Sequence, residues 1–122
     1  MTENLELNEN LELIDTSDSK ALAEIIADVL DSKKGRDIKV LCVEDKTVIA
    51  EYFVICSGNS STQVKALVGE VEYQLERRGV SPYGVEGRDN NSWLILDYSN
   101  VIVHVFSRDA REFYNIEKLY ED

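Results

Sequence analysis

The sequence predicts an α+β sandwich built on a mixed sheet of five strands. Three observations carry this reading. Two amphipathic helical stripes flank a pair of apolar, strand-like runs. Three further strand-like runs follow the second helix, and a last helical or mixed segment closes the chain. No Pro/Gly-rich linker interrupts the order α-β-β-α-β-β-β-α, and 122 residues are enough for one domain with a core of its own.

The chain begins with an acidic stretch. Residues 1–18 hold six acids (Glu3, Glu6, Glu9, Glu12, Asp15, Asp18) and no base, and the pentapeptide Glu-Asn-Leu-Glu-Leu occurs at 3–7 and again at 9–13. So short a charged segment buries little apolar area, and a solvated tail is expected over 1–18, with the domain proper at 19–122. Leu5, Leu7, Leu11 and Leu13 are the residues that would dock if the tail packs on something.

A helix is expected from Ser17 to Gly35, because Leu22, Ile25, Ile26, Val29 and Leu30 recur with helical spacing. Ser17, Asp18 or Ser19 caps its start, Gly35 closes it, and Lys33 and Lys34 fall in its last turn. Strands follow at Ile38–Val43 and Val48–Cys56, joined by a turn at Glu44-Asp45-Lys46. The second run has few polar residues and is expected to be central. Cys42 and Cys56 sit inside these runs and read as buried, inert thiols. Ser57-Gly58-Asn59 breaks the pattern, with Gly58 the candidate for a positive φ angle. A long helix then runs from Ser60 to Arg78, opened by the capping box Ser60/Gln63 and closed by Gly79. Its stripe is Val64, Leu67, Val68, Val71 and Leu75. A short strand or loop near Tyr83–Val85 leads into a turn reaching Asn91. Strands at Trp93–Asp97 and Val101–Phe106 are close enough to form a hairpin about Ser99-Asn100, and Arg108–Tyr120 completes the chain.

A two-residue loop at Ser99-Asn100 sets the hairpin's pairing and divides its residues between two faces. Leu94, Leu96, Tyr98, Val101, Val103 and Val105 make an aliphatic face suited to the helices' stripes. Trp93, Ile95, Asp97, Ile102, His104 and Phe106 make a face that mixes large apolar groups with an acid and the chain's single histidine. Two readings stay open. The face is a half-covered protein-binding surface, or it is a second core layer under the tail or the last helix, with Asp97 at the turn and His104 hydrogen-bonded.

Composition excludes several classes of function. Thirteen bases against 24 acids leave a net charge of −11, which repels phosphate backbones and suits a basic protein partner. No apolar run approaches the length of a membrane helix, and the acidic N-terminus resembles neither a secretory signal nor a transit peptide, so the cytoplasm is the expected compartment. One histidine and two cysteines without CxxC or HxxxH spacing offer no common zinc site, so no metal and no cofactor is expected. No GxSxG elbow exists for a hydrolytic triad. Ser57-Gly58-Asn59-Ser60-Ser61 follows a strand and opens a helix, where backbone N–H groups can hold a phosphate, but it lacks the second glycine and lysine of a nucleotide loop.

The motifs taken together resemble the Iojap-like ribosomal silencing factor family. They are Lys46-Thr47, Ala50-Glu51-Tyr52-Phe53-Val54-Ile55-Cys56-Ser57-Gly58-Asn59-Ser60 and Gln63-Val64-Lys65-Ala66. Glu86-Gly87, Trp93 with Leu96-Asp97-Tyr98, and Val103-His104-Val105-Phe106 follow in the same order. Arg111-Glu112-Phe113-Tyr114 and Ile116-Glu117-Lys118-Leu119-Tyr120 complete the set. Glu51 stands where the family usually has Asp, and Tyr120 where it usually has Trp, swaps that keep charge and aromatic type. The resemblance implies a nucleotidyltransferase-like fold with helices mainly on one face of the sheet. It further implies binding to a small basic protein of the large ribosomal subunit, number fourteen, which blocks joining of the small subunit and represses translation when nutrients are scarce. A homodimer is implied for the free protein. The expected partner-binding residues are Glu86, Trp93, Asp97, Tyr98, His104 and Phe106, with no catalytic residue. The alternative is a nucleotidyltransferase-like enzyme using the Gly58-Asn59-Ser60 turn. It lacks the pair of strand-borne metal-binding acids that such chemistry needs, since Glu70-Val71-Glu72 lies on a helix.

Overall fold

A computed structural model describes residues 12–87 and 92–121, so the tail's residues 1–11 and the turn at 88–91 lie outside the described residues. The elements are α1 (Ser19–Ser32), β1 (Arg36–Cys42), β2 (Tyr52–Gly58), α2 (Ser61–Arg77), β3 (Gly84–Glu86), β4 (Trp93–Asp97), β5 (Val101–Ser107), α3 (Arg108–Tyr114) and α4 (Glu117–Tyr120). The five strands form one sheet in the order β1-β2-β5-β4-β3. β2 and β5 run parallel and the other neighbours antiparallel, which makes the expected mixed sheet.

The helical stripes do what their spacing requires. Asp18 caps α1, its carboxylate accepting from the Ala21 amide at 3.0 Å, and Leu22, Ala23, Ile26 and Leu30 are fully buried. α1 ends earlier than expected. Ser32 is its last residue, both lysines fall beyond it, and Lys34 rather than Gly35 takes the left-handed position at φ 66°. Gly35 is required for a different reason: a Cβ there would lie 2.5 Å from Cys56 Sγ. α2 is capped by Ser60, whose hydroxyl accepts from the Gln63 amide, and is closed by Gly79 at φ 85°. Its five stripe residues are all buried. With Val54 and Cys56 of β2, Leu94 and Leu96 of β4, and Val101, Val103 and Val105 of β5, the two stripes make the main core.

β2 is central and almost wholly buried, but it starts at Tyr52 rather than Val48. The amides of Lys46 and Thr47 both donate back to the Val43 carbonyl, so the chain is still turning at Val48 and strand pairing resumes only after Val43 N–H meets the Glu51 carbonyl. Val48 and Ile49 consequently project into solvent. β1 is an edge strand, which corrects the expectation for Cys42: its thiol is exposed, while Cys56 is buried and burial pushes its thiol up to about 11. Both cysteines are free.

The C-terminal segment forms two short helices, because Asn115 adopts a left-handed conformation at φ 44° between them. They lie on the opposite face from α1 and α2. Ala110, Ile116 and Tyr120 pack there with Phe53, Ile55 and Phe106 in a second, smaller core. Residues 12–16 follow the other end of the molecule. Ile14 donates its backbone amide to the Arg78 carbonyl, Arg78 Nε donates to the Glu12 carbonyl, and Asn100 Nδ2 donates to the Thr16 carbonyl. No helix among the described residues is long and apolar enough to cross a membrane.

Candidate functional site

The hairpin has the register its loop length demands: Trp93 opposes Phe106, Ile95 opposes His104, and Asp97 opposes Ile102. Across the parallel pair, His104 sits beside Ile55 and Ile102 beside Phe53. On the other side, Glu86 of β3 opposes Ile95, so it shares this face as well. Trp93, Ile95, Asp97, Ile102, His104, Phe106 and Glu86 therefore lie on one side of the sheet, as strand parity requires.

The face is closed in the middle and open toward β4 and β3. Phe106 is fully buried in the second core with Ala110, Ile116 and Tyr120, and His104, 7% exposed, is enclosed by the rings of Phe53, Trp93 and Phe106. Trp93, Ile95, Asp97 and Ile102 are half-buried and Glu86 is exposed. The two sequence readings thus apply to different parts of the same surface: a second core at its centre, and an accessible rim.

Trp93 joins the two. Its ring stacks on Phe106 at 4.9 Å and meets Tyr114 at 4.6 Å, and its indole N–H donates to His104 Nδ1 at 3.2 Å. Phe113, 81% exposed, stands edge-on to Tyr114 at 5.0 Å. An aromatic series thus rises from buried Phe106 through Trp93 and Tyr114 to exposed Phe113. Phe113 and Tyr114 were not among the expected site residues. The signal for them is helical spacing: Tyr114 falls three and four residues after the buried Arg111 and Ala110, which turns it toward Trp93.

His104 is neutral. Burial drives its pKa down to about 4, and Nδ1 accepts from Trp93, so the proton resides on Nε2, which has no hydrogen-bond partner among the described residues. Asp97 accepts from the Ser99 amide at 2.7 Å and shapes the hairpin turn, where Ser99 adopts φ 74°. Tyr98 lies on the other face, 4% exposed among the helices, with burial and then Glu72 and Glu76 raising its hydroxyl's pKa. It borders the turn but gives no area to this surface. The accessible rim is thus two acids, Glu86 and Asp97, around the apolar Trp93, Ile95 and Ile102, with Phe113 and Tyr114 beside Trp93.

The Ser57-Gly58-Asn59 turn is mostly committed to structure. Gly58 is not in the left-handed region, contrary to expectation; the described glycines with positive φ are Gly79 and Gly87. Its side chain is missing because α2 passes so close: a Cβ would lie 2.9 Å from Val64 Cγ2 and 3.1 Å from the Val64 amide. The Asn59 amide donates to Gln63 Oε1, and Ser57 Oγ accepts from Arg111 at 2.9 Å. Among the described residues, no group of three or more His, Cys, Asp or Glu side chains is placed to hold a metal.

A family model described as "Ribosomal silencing factor during starvation" matches residues 16–122. A "Ribosomal silencing factor RsfS" of Bacillus subtilis is 40% identical over 103 residues, covering 84% of this chain and 87% of that protein. One of Haemophilus influenzae is 38% identical over 100 residues, covering 82% of this chain and 98% of that protein. Among solved structures, a protein of Chromobacterium violaceum superposes with a TM-score of 0.80 at 32% identity, covering 83% of this chain and 84% of that one.

Proposed function

From the premise that the chain belongs to the ribosomal silencing factor family, we propose that it represses translation by binding the large ribosomal subunit. In this reading it docks on the subunit's protein number fourteen, blocks joining of the small subunit when nutrients are limiting, and works in the cytoplasm by occlusion rather than catalysis. The observation that carries the docking reading is the rim itself. A half-buried tryptophan continuous with exposed aromatics, flanked by Glu86 and Asp97, has the apolar centre and polar border of a protein-binding surface. Its acids, on a chain of net charge −11, suit a basic partner. Trp93, Asp97 and Glu86 would touch the partner directly. His104 and Phe106 would hold Trp93 from below, and Tyr98 would hold the hairpin turn. The same apolar rim would be covered by a second copy in a free homodimer.

The test is direct. Purified chain, incubated with separated subunits, should co-sediment with large subunits and not small ones, and should lower the yield of joined ribosomes. Association should slow as salt rises, because opposite charges steer the encounter. Chain that stays at the top of the gradient while large subunits sediment would refute the proposal.

A further inference from the structure

β2 and β5, the parallel pair, end side by side and send their chains to opposite faces. β2 leads into α2, which packs in the main core, and β5 leads into α3, whose Ala110 packs in the second. Adjacent parallel strands that part in this way leave a crevice beyond their carboxyl ends, the place where open α/β sheets hold small ligands. Here the crevice is a hollow of about 280 Å³ lined by Arg36, Asp37, Asn59, Arg108 and Glu112, together with Ser57 and Gly58. It continues into a wider hollow of about 520 Å³ over Lys39 and Arg111. A bulge in β1 between Arg36 and Lys39 opens this end of the sheet.

The charge distribution gives the cleft its character. Four of the chain's 13 basic residues line the two hollows, although the chain as a whole is strongly acidic. Lys39 and Arg111 are held by Glu117 and Glu121. Arg36 and Arg108 are exposed, and their guanidinium groups have no ion-pair or hydrogen-bond partner among the described residues. Asp37 and Glu112 share the same walls. Two arginines suit a phosphate, with which they form forked, charge-assisted hydrogen bonds. Two carboxylates repel a bare phosphate but accept from hydroxyl and amino groups.

We propose that this cleft binds a nucleotide, its phosphate on Arg36 and Arg108 and its sugar or base donors on Asp37 and Glu112. The site stands apart from the rim around Trp93 and owes nothing to the docking reading. The ligand chemistry is the same whether the nucleotide is free or belongs to an unpaired stretch of RNA. The carboxylates make a specific demand: a nucleoside diphosphate should bind more tightly than inorganic phosphate.

The experiment is an amide NMR titration at constant ionic strength with inorganic phosphate, adenosine diphosphate and a short single-stranded RNA. The Asn59 and Arg108 amides should shift saturably with the diphosphate or the RNA, and more weakly with phosphate. Arg36→Gln and Arg108→Gln should each weaken binding by about tenfold, the loss of one charge-assisted contact, whereas Lys65→Gln on the exposed side of α2 should not. Both arginine variants should melt like the parent. Tighter binding of the diphosphate assigns the cleft to a free nucleotide, and tighter binding of the RNA assigns it to a strand. No saturable shift with any probe, or shifts that persist unchanged in both arginine variants, would overturn the proposal.

Discussion

The guanidinium of Arg111 grips the carboxylate of Glu117 at two points, Nε to Oε1 at 2.8 Å and Nη2 to Oε2 at 3.0 Å. The same guanidinium donates to Ser57 Oγ at the end of β2, so one buried side chain ties both C-terminal helices to the sheet. Removing it leaves a carboxylate that is only 13% exposed with Lys39, at 3.3 Å, as its remaining cation, and leaves Ser57 Oγ without its donor. Arg111→Ala should therefore cost about 2 kcal/mol in urea unfolding, and Arg111→Lys should recover only part of that, because an ammonium lacks the fork. Hydrogen exchange should show α4 opening first. An unchanged unfolding midpoint in Arg111→Ala would contradict this account.

Two groups give stability a defined pH dependence. His104 titrates near 4 in the fold, against 6.5 when unfolded, because burial disfavours its charge. The unfolded chain therefore binds the extra proton between those values. The His104 contribution is complete above pH 6.5 and is lost as pH falls toward 4, a total of about 3 kcal/mol. Glu117 acts lower: the Arg111 hydrogen bonds hold its carboxyl below 4.5, so its contribution is present above that value and disappears beneath it. In urea titrations, His104→Gln should flatten the slope between pH 6.5 and 4 while leaving the acid limb below 4.5. A parent protein equally stable at pH 7 and pH 5 would refute the buried, neutral imidazole.

Two glycines should respond to alanine with opposite signs. At Gly58 the new methyl group meets Val64 at the start of α2, an overpacked contact that should destabilise by about 1–3 kcal/mol. At Gly69 nothing lies within 4 Å, and the position is an exposed helix interior, so Gly69→Ala should stabilise by about 0.5–1 kcal/mol. Unfolding midpoints of the two variants test both signs. A Gly58→Ala midpoint no lower than the parent's, or a Gly69→Ala midpoint no higher, would contradict the corresponding account.

The legible parts of the sequence were those with a strong period. Both helical stripes, the central β2 and the register about Ser99-Asn100 follow from spacing alone, because a one-residue slip would turn every side chain of a strand to the wrong face. Features that depend on distant contacts were not legible. Gly35 and Gly58 look like conformational glycines, but it is the approach of Cys56 and Val64 that excludes a side chain from each. Val48 and Ile49 look like strand, but two amides bonded to the Val43 carbonyl keep the chain turning there. The mixed face was legible as a list of residues. Its division into a covered centre and an open rim was not, because the cover comes from Ile116, just before the short α4, and Tyr120 at its end.

That division decides what mutations of the face should do. Trp93 is half-buried, and its loss leaves the main core under α1 and α2 untouched. Trp93→Ala should weaken binding to large subunits by about 2 kcal/mol or more if Trp93 anchors the surface. It should also cost some stability, because Phe106 loses a stacking partner and His104 Nδ1 loses its donor. Phe113→Ala gives a cleaner test: the ring is 81% exposed and touches Tyr114, so stability should change little while affinity falls. Phe106→Ala should do the reverse, with about 3–5 kcal/mol lost from stability through a cavity in the second core and a smaller effect on binding per folded molecule. Thermal midpoints and subunit affinities for the three variants separate the roles. If Trp93→Ala and Phe113→Ala both bind large subunits like the parent while folded, the docking surface lies elsewhere on the molecule.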